Sequence, residues 1–228
     1  MADLSTAPST FMPRFPHVIF DLDGTLIDSA PAILASFRDA FSAVSMTPAI
    51  PIAADIIGPP LTETLELLSA SRDPALIARL ADAFKASYDS SGYRHTTAFD
   101  GVTEMLQRLM QTGARLSIAT NKRIYPTRLI LEHLGWQGFF GDVYALDLFT
   151  PRLPDKAAMI GRLLGDRGIA ADLAVYIGDR AEDGQSADAN HLAFIAASWG
   201  YGSLTAAETA AHWQMASTPG QLAQMLGA

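Results

Sequence analysis

The chain has 228 residues, enough for one large domain or for a domain that carries a substantial insertion. It contains no cysteine, which excludes a disulfide framework, thiolate-bound zinc, an iron–sulfur cluster and a cysteine nucleophile. Apolar residues make up 49% and charged residues 18%, the composition of a packed globular protein. The net charge of −8 argues against nucleic acid or an anionic membrane as a partner, so local positive groups must hold any anionic ligand.

Residues 1–15 are predicted to form a flexible arm, because they are rich in Pro, Ser and Thr. They lack the basic start and the apolar stretch of a signal peptide. No apolar run in the chain approaches the ~20 residues that a membrane-spanning helix needs. We therefore expect a cytoplasmic protein without a membrane partner, acting as a monomer or a homodimer.

Short apolar runs alternate with helical patterns along most of the chain, which predicts a parallel α/β sheet with right-handed crossovers. Five runs are typical of buried parallel strands. They are residues 17–20, 116–119, 143–146, 173–177 and 192–197. Three helical stripes lie between them, over residues 102–110, 124–134 and 159–164, and are expected to end at Gly113, Gly135 and Gly165 respectively.

Residues 28–97 break this alternation, since they show no convincing strand and carry three helical patterns. The patterns are centred on Phe37, Leu65 and Leu80, and several prolines separate the first two. We predict an all-helical insertion over residues 28–97. The predicted Rossmann-like core with a parallel sheet then consists of residues 16–27 and 98–228.

Polar side chains follow three of the predicted strands. In open α/β sheets ligands bind beyond the carboxyl ends of the strands, so these side chains are expected to meet at one rim. Four of them are acids, and a hard divalent ion such as Mg²⁺ favours a few carboxylates together with water and phosphate oxygens. The side chains at the rim are Asp21, Asp23, Thr120, Asn121, Lys122, Asp179 and Asp183.

Asp21 and Asp23 are two residues apart, which puts both on one side of an extended strand end. Two carboxylates this close repel unless a cation or a shared proton relieves them. A calcium loop of the EF-hand type is excluded, because Leu26 and Ala32 stand where it requires Gly and Glu.

Two lysines are further candidates for the site. Lys156 stands at the start of a predicted helix, where the helix dipole disfavours a cation unless an anion is held nearby. Lys122, in the sequence Thr-Asn-Lys, is either a phosphate ligand or a solvated loop residue.

Four motifs, in the same order, resemble those of the haloacid dehalogenase (HAD) superfamily, in its phosphoglycolate phosphatase-like branch with a helical cap. The resemblance runs from about His17 to the C-terminus. Its motifs are Asp21-x-Asp23-Gly24-Thr25, then Thr120, then Lys156, then Gly178-Asp179-x-x-x-Asp183. A softer likeness is Trp199-Gly200-Tyr201-Gly202 after the last predicted strand.

The resemblance implies a Mg²⁺-dependent phosphatase that hydrolyses a small phosphorylated metabolite, of the phosphoglycolate or the nucleotide type. Asp21 would be the nucleophile that forms an aspartyl-phosphate, and Asp23 would be the general acid and base. Mg²⁺ would be bound by Asp21, the backbone carbonyl of Asp23 and Asp179, with support from Asp183.

The same resemblance assigns phosphate binding to Thr120, Asn121 and Lys156, and it implies a cap over residues 28–97 that closes on the site. Two alternatives stay open. A β-phosphoglucomutase-type transferase would keep every core residue and pass the phosphoryl group to a sugar. A catalytically silent binding module could also use this fold, although such a module has no chemical need for both Asp21 and Asp23.

Overall fold

The computed structural model of the protein describes residues 14–202, 204 and 208–228. The predicted arm over residues 1–15 therefore lies outside the described residues, except for its last two. In chain order the strands and α-helices are β1 (His17–Phe20), β2 (Ile27–Asp28), α1 (Ala30–Ala43), α2 (Leu61–Ser69), α3 (Pro74–Tyr88), β3 (Thr97–Ala98), α4 (Val102–Gln111), β4 (Arg115–Thr120), α5 (Ile124–His133), β5 (Phe140–Ala145), α6 (Lys156–Arg167), β6 (Ala174–Gly178), α7 (Ala181–Ala189), β7 (Ala193–Ala197), β8 (Gln214–Ala216) and α8 (Pro219–Met225).

Six of the strands form one sheet in the order β5-β4-β1-β6-β7-β8, and every pairing in it is parallel. The predicted α/β class with a Rossmann-like parallel sheet is confirmed. The chain places β4 and β5 on one side of β1 and the later strands on the other. This reversal opens a crevice at the carboxyl end of β1, the usual ligand site of such sheets.

Both faces of the central strand are covered, because alternate side chains of β1 point to opposite sides of the sheet. Val18 and Phe20 belong to the larger apolar cluster, which includes Leu106 and other residues of α4. Ile19 belongs to a second cluster with Met159 and other residues of α6. The uninterrupted apolar run that predicted this strand follows from burial on both faces.

Between β2 and β3 the described chain forms α1, α2, α3 and two short 3₁₀ turns. α1 and α3 pack through aromatic side chains, with the rings of Phe37 and Phe84 4.6 Å apart and those of Phe84 and Tyr88 5.4 Å apart. β2 and β3 pair with each other as an antiparallel ribbon. We propose that residues 28–97 are a separate helical cap, because this ribbon is where the chain leaves the core and returns to it.

Several boundaries differ from those predicted. The third helical stripe was expected to end at Gly165, but α6 continues to Arg167, and it is Gly168, with a φ of 62°, that closes it. The expectation for Gly165 was therefore wrong. Strand β5 begins at Phe140 and ends before Leu146, which lies in a 3₁₀ turn, so the range 143–146 was also misplaced.

Three elements of the core were not predicted, namely α7, β8 and α8. Helix α7 carries no apolar stripe, because its buried side consists of Asp183, Gly184, Ser186 and Ala187. Asp28 and Thr97, at the ends of the segment read as free of strands, belong to β2 and β3. Of the helices that the structure describes, none combines the length and the apolar character required to cross a bilayer.

Candidate active site

The carboxyl ends of β1, β4 and β6 bring the predicted side chains to one edge of the sheet. Asp21 directly follows β1, and its backbone N–H donates to the Ile177 carbonyl of β6 at 2.8 Å. Thr120 is the last residue of β4, and Asp179 directly follows β6. All three side chains are buried.

Three buried carboxylates form the centre of the site. One carboxylate oxygen from each of Asp21, Asp179 and Asp183 lies within 4.8 Å of the others. The Oδ1 atom of Asp21 is buried without a hydrogen-bond partner among the described residues. Such a set of oxygen donors fits a hard divalent cation, which would relieve their mutual repulsion.

Burial shifts the acidity of two of these groups. Loss of water around the carboxyl of Asp21 raises its pKa to about 7; Lys156 opposes this rise, and the carboxylates of Asp183, Asp179 and Asp23 add to it. Burial likewise raises the pKa of Asp179 to about 6, with a further contribution from Asp183. Both residues therefore carry their negative charge at an energetic cost as long as no cation is bound.

The carboxylate of Asp179 is held in one orientation by backbone groups. Its Oδ2 atom accepts hydrogen bonds from the N–H groups of Tyr201 at 3.0 Å and Gly202 at 2.9 Å. Gly24 adopts a φ of 84°, and a Cβ at that position would lie only 2.4 Å from the same oxygen. A side chain at position 24 would therefore displace Asp179, which explains the glycine of the first motif.

Lys156 is the cation of the carboxylate cluster. Its Nζ atom lies 2.5 Å from Asp183 Oδ1 and 3.3 Å from Asp21 Oδ1, and its side chain is 4% exposed. Burial alone would lower the pKa of Lys156, but the two carboxylates raise it well above its usual value. The first residue of α6 thus keeps its positive charge beside the candidate nucleophile.

Lys122, for which the sequence left open a phosphate ligand and a solvated loop residue, is buried beside Asp23 and is not solvated. Its side chain is 7% exposed, and its Nζ atom lies 3.1 and 3.3 Å from the two carboxylate oxygens of Asp23. The ammonium also lies 4.6 Å from the ring centroid of Tyr88, in α3. Asp23 accepts a further hydrogen bond from the hydroxyl of Ser29. Asp23 is therefore positioned by a cation from the core and by a hydroxyl just before α1.

Asn121 connects the core to the helical segment. Its Nδ2 atom donates to the Gly58 carbonyl at 3.1 Å and to Glu182 at 3.4 Å, and its Oδ1 atom is buried without a described partner. The hydroxyl of Thr120 accepts a hydrogen bond from the N–H of Lys122 at 3.2 Å. The Thr-Asn-Lys loop thus contacts both parts of the chain.

A bidentate ion pair also joins the core to the helical segment. The guanidinium of Arg123, just before α5, donates to the two carboxylate oxygens of Asp89 at 2.8 and 2.5 Å. Asp89 directly follows α3, and both side chains are largely buried. Sequence analysis did not identify this pair, because neither residue stands in a motif.

Tyr201 is a further residue to which sequence analysis gave no role, although it lies in the quoted sequence Trp199-Gly200-Tyr201-Gly202. Its hydroxyl accepts hydrogen bonds from the N–H groups of Ser29 at 2.6 Å and Ala30 at 2.8 Å and donates to Asp28 at 2.7 Å. Tyr201 therefore fixes the start of α1, where the chain enters the helical segment.

Comparison with known proteins agrees with this geometry. The family model of the haloacid dehalogenase-like hydrolases matches residues 18–197. A phosphoglycolate phosphatase of Xanthomonas campestris is 37% identical over 192 residues, which cover 82% of this chain and 86% of that protein. The tyrosine-protein kinase PtkA of Mycobacterium tuberculosis is 34% identical over 188 residues, covering 81% of this chain but only 62% of the length of that relative.

A solved structure, of a predicted phosphatase from Clostridium acetobutylicum, superposes with a TM-score of 0.83 at 26% identity and covers 92% of this chain and 97% of that one. The residues matched by the family model include all four motif acids, Asp21, Asp23, Asp179 and Asp183, together with Thr120 and Lys156. The chain therefore belongs to the haloacid dehalogenase-like hydrolase family.

Proposed function

We propose that the protein is a Mg²⁺-dependent phosphatase, which hydrolyses the phosphomonoester of a small metabolite through an aspartyl-phosphate on Asp21. The observation that carries the proposal is the placement of Asp21. Its Oδ1 atom is buried, lacks a described hydrogen-bond partner and lies 3.3 Å from the ammonium of Lys156. A carboxylate oxygen that is ion-paired with a buried ammonium and accepts no other described hydrogen bond is suited to attack an anionic phosphoryl group.

The carboxylates of Asp21, Asp179 and Asp183 fit Mg²⁺, because they offer one oxygen each within 4.8 Å of one another. Asp21, Asp179 and the backbone carbonyl of Asp23 would hold the ion, with Asp183 in support. When bound, Mg²⁺ supplies positive charge that offsets the charge of the carboxylates and of the phosphoryl oxygens.

The residues of the chain would then act in two steps. In the first, an Asp21 oxygen bonds to phosphorus, the bond from phosphorus to the alcohol oxygen breaks, and Asp23 gives that oxygen its proton. In the second, Asp23 takes a proton from a water molecule, whose oxygen bonds to phosphorus and releases the Asp21 carboxylate. Lys156 and Thr120 would bind the phosphoryl oxygens throughout.

Phosphate release from a panel of phosphomonoesters tests the proposal, with Mg²⁺ and with a chelator. We expect release in the presence of Mg²⁺, loss of release with the chelator, and loss in Asp21→Asn. The matched control is Asp172→Asn, since Asp172 is exposed and lies outside the site. Wild-type turnover that persists in Asp21→Asn would refute the role of Asp21.

The same panel separates the alternatives. Transfer of the phosphoryl group from β-glucose 1-phosphate to a second sugar hydroxyl, without release of phosphate, would favour a mutase. The absence of both release and transfer would favour a silent binding module.

A further inference from the structure

We propose that Tyr201 is a positioning residue of the phosphatase, whose hydroxyl holds Ser29 in the orientation that directs Asp23 at the departing alcohol. This inference rests on the proposed function and adds to it a residue from outside the four motifs. Tyr201 lies in the loop after β7, and its hydroxyl reaches the start of α1.

The hydroxyl of Tyr201 has no hydrogen-bonding capacity left for a substrate. It accepts from the N–H groups of Ser29 at 2.6 Å and Ala30 at 2.8 Å, and it donates its single hydrogen to Asp28 at 2.7 Å. Because an amide N–H only donates and a carboxylate only accepts, the direction of each bond is fixed. Tyr201 therefore acts on the start of α1 and not on the phosphoester itself.

Ser29 directly precedes α1, a position at which a serine side chain usually accepts a hydrogen bond from the helix. Here it makes no such bond, and its backbone has a ψ of −2° instead of the extended value of a helix cap. The tyrosine hydroxyl accepts two N–H groups at this helix start, and the serine hydroxyl donates to Asp23. Ser29 is fully buried, so water does not compete for its hydroxyl.

Asp23 has two described partners, and they differ in what they fix. The ammonium of Lys122 lies 3.1 and 3.3 Å from the two carboxylate oxygens, so it offsets the charge of both. An ammonium has three rotatable donors and does not define the plane of a carboxylate. The Ser29 hydroxyl donates to Oδ1 alone and thereby distinguishes the two oxygens. Without this bond the carboxylate of Asp23 can turn while it stays paired with Lys122.

The loop that carries Tyr201 is held independently of the hydroxyl. The indole N–H of Trp199 donates to a backbone carbonyl of the first motif at 2.9 Å. The backbone N–H groups of Tyr201 and Gly202 donate to Asp179. The ring of Tyr201 also meets that of Phe99 edge-on, with the centroids 6.0 Å apart. Tyr201→Phe can keep all of these contacts and removes only the hydroxyl.

Hydrolysis of an alkyl and an aryl phosphate by Tyr201→Phe, with Mg²⁺ present, tests this inference. n-Butyl phosphate needs a proton on its leaving oxygen, whereas p-nitrophenyl phosphate releases a stable anion. We expect kcat/KM to fall by about tenfold or more for the butyl ester and by less than about threefold for the nitrophenyl ester, because a misplaced general acid loses much of its effect. Ser29→Ala, which removes the hydroxyl that contacts Asp23, should give the same difference.

Binding of Mg²⁺ separates this role from a merely structural one. If the Tyr201 hydroxyl only kept the loop in place, Asp179 would lose its support in Tyr201→Phe, and the affinity for Mg²⁺ would fall by about tenfold or more. We expect instead that the rise in Tm produced by Mg²⁺, measured without substrate, is the same in the variant and in the wild type.

The matched control is Tyr144→Phe. Tyr144 is buried, and its hydroxyl also donates to an aspartate, Asp166, at 2.9 Å near the C-terminal end of α6. This control should leave the ratio of the kcat/KM values for the two esters unchanged.

The double variant tests whether the effect of Tyr201 passes through Ser29. With Ser29 already replaced by Ala, Tyr201→Phe should change the ratio of the two kcat/KM values by less than about twofold, because two residues that act on one group are not additive. Full additivity would overturn the proposal.

The inference and the proposed function fail in different ways. Equal or absent losses for the two esters in Tyr201→Phe or in Ser29→Ala, a smaller Mg²⁺-dependent rise in Tm, or hydrolysis of only the nitrophenyl ester by the wild type would overturn the role of Tyr201 while the phosphatase stands. Ser29→Ala gives this test even if Tyr201→Phe does not fold, since the proposed path to Asp23 passes through Ser29. If the wild type hydrolyses neither ester with Mg²⁺, the proposed function is overturned and this inference with it.

Discussion

Replacement of Asp21 by Asn should stabilise the metal-free protein at neutral and alkaline pH, although it removes the candidate nucleophile. Asp21 is buried among carboxylates, and its pKa rises from 3.8 to about 7. The charged form is thus disfavoured in the folded state despite the attraction of Lys156. Asparagine has nearly the same shape and carries no charge, and Lys156 keeps its 2.5 Å contact with Asp183.

The size of the effect follows from the shift of the pKa. Because each unit corresponds to about 1.36 kcal/mol, the charged form of Asp21 costs up to about 4 kcal/mol of folding free energy. The pKa of Asp21 is higher in the folded state than in the unfolded state. The contribution of Asp21 to the free energy of unfolding is therefore fully present below pH 3.8 and is lost as the pH rises through about 7. The advantage of Asp21→Asn should therefore be small near pH 4 and approach its full value by pH 8.

Denaturant unfolding at a series of pH values, with a chelator present, measures this difference. At pH 8 the gain of about 4 kcal/mol corresponds to a rise in Tm of about 8 to 16 °C for a chain of this size. Saturating Mg²⁺ should stabilise the wild type more than the variant, because the ion binds the ionised carboxylate. The reasoning would be refuted if, with the chelator present, Asp21→Asn were no more stable than the wild type at pH 8. It would also be refuted if the difference in the free energy of unfolding between the two proteins were the same at every pH. Asp172→Asn is the matched control, since Asp172 is exposed.

Four other substitutions probe the site and its contacts with the helical segment. Asp23→Asn should slow alkyl phosphates by about 10² to 10⁴ in kcat but aryl phosphates much less, and equal losses for both would argue against its role as the acid. Lys122→Met should lower the free energy of unfolding by about 3 to 5 kcal/mol, because it leaves the mostly buried carboxylate of Asp23 without its cation and with only the Ser29 hydroxyl as a partner; unchanged denaturant unfolding would contradict this pair. Arg123→Gln should raise KM more than it lowers kcat, by loosening the helical segment. Adding Asp89→Asn should then cause little further change, and additive effects in this double-mutant cycle would exclude a direct coupling.

The strand ends of the site could be predicted from sequence, because an apolar run followed at once by acids marks both a buried strand and its carboxyl end. Asp21 and Asp179 lie at the edge of the sheet for this reason. Lys156 was singled out because a cation at a helix start requires a nearby anion. The structure places that lysine against Asp183 and Asp21.

Contacts between distant loops could not be predicted in the same way. The pairing of Lys122 with Asp23 joins residues 99 positions apart and depends on how far β1 and β4 extend side by side. Helix α7 was missed because small and polar residues form its buried side, so its burial produces no apolar periodicity. The role of Tyr201 depends on where the loop after β7 crosses the start of α1.

The narrow ribbon of β2 and β3 bears on how a protein of this kind can diversify. Ile27 and Ala98 are paired residues of that ribbon, so the chain departs and returns about 5 Å apart, the ordinary spacing of neighbouring strands. A foreign segment inserted at this pair would place new side chains over the site and leave unchanged Asp21 and Asp179 at their strand ends and Lys156 at the start of α6. We therefore expect that exchange of this segment would change the surroundings of the substrate and leave the proposed chemistry at Asp21 unaltered.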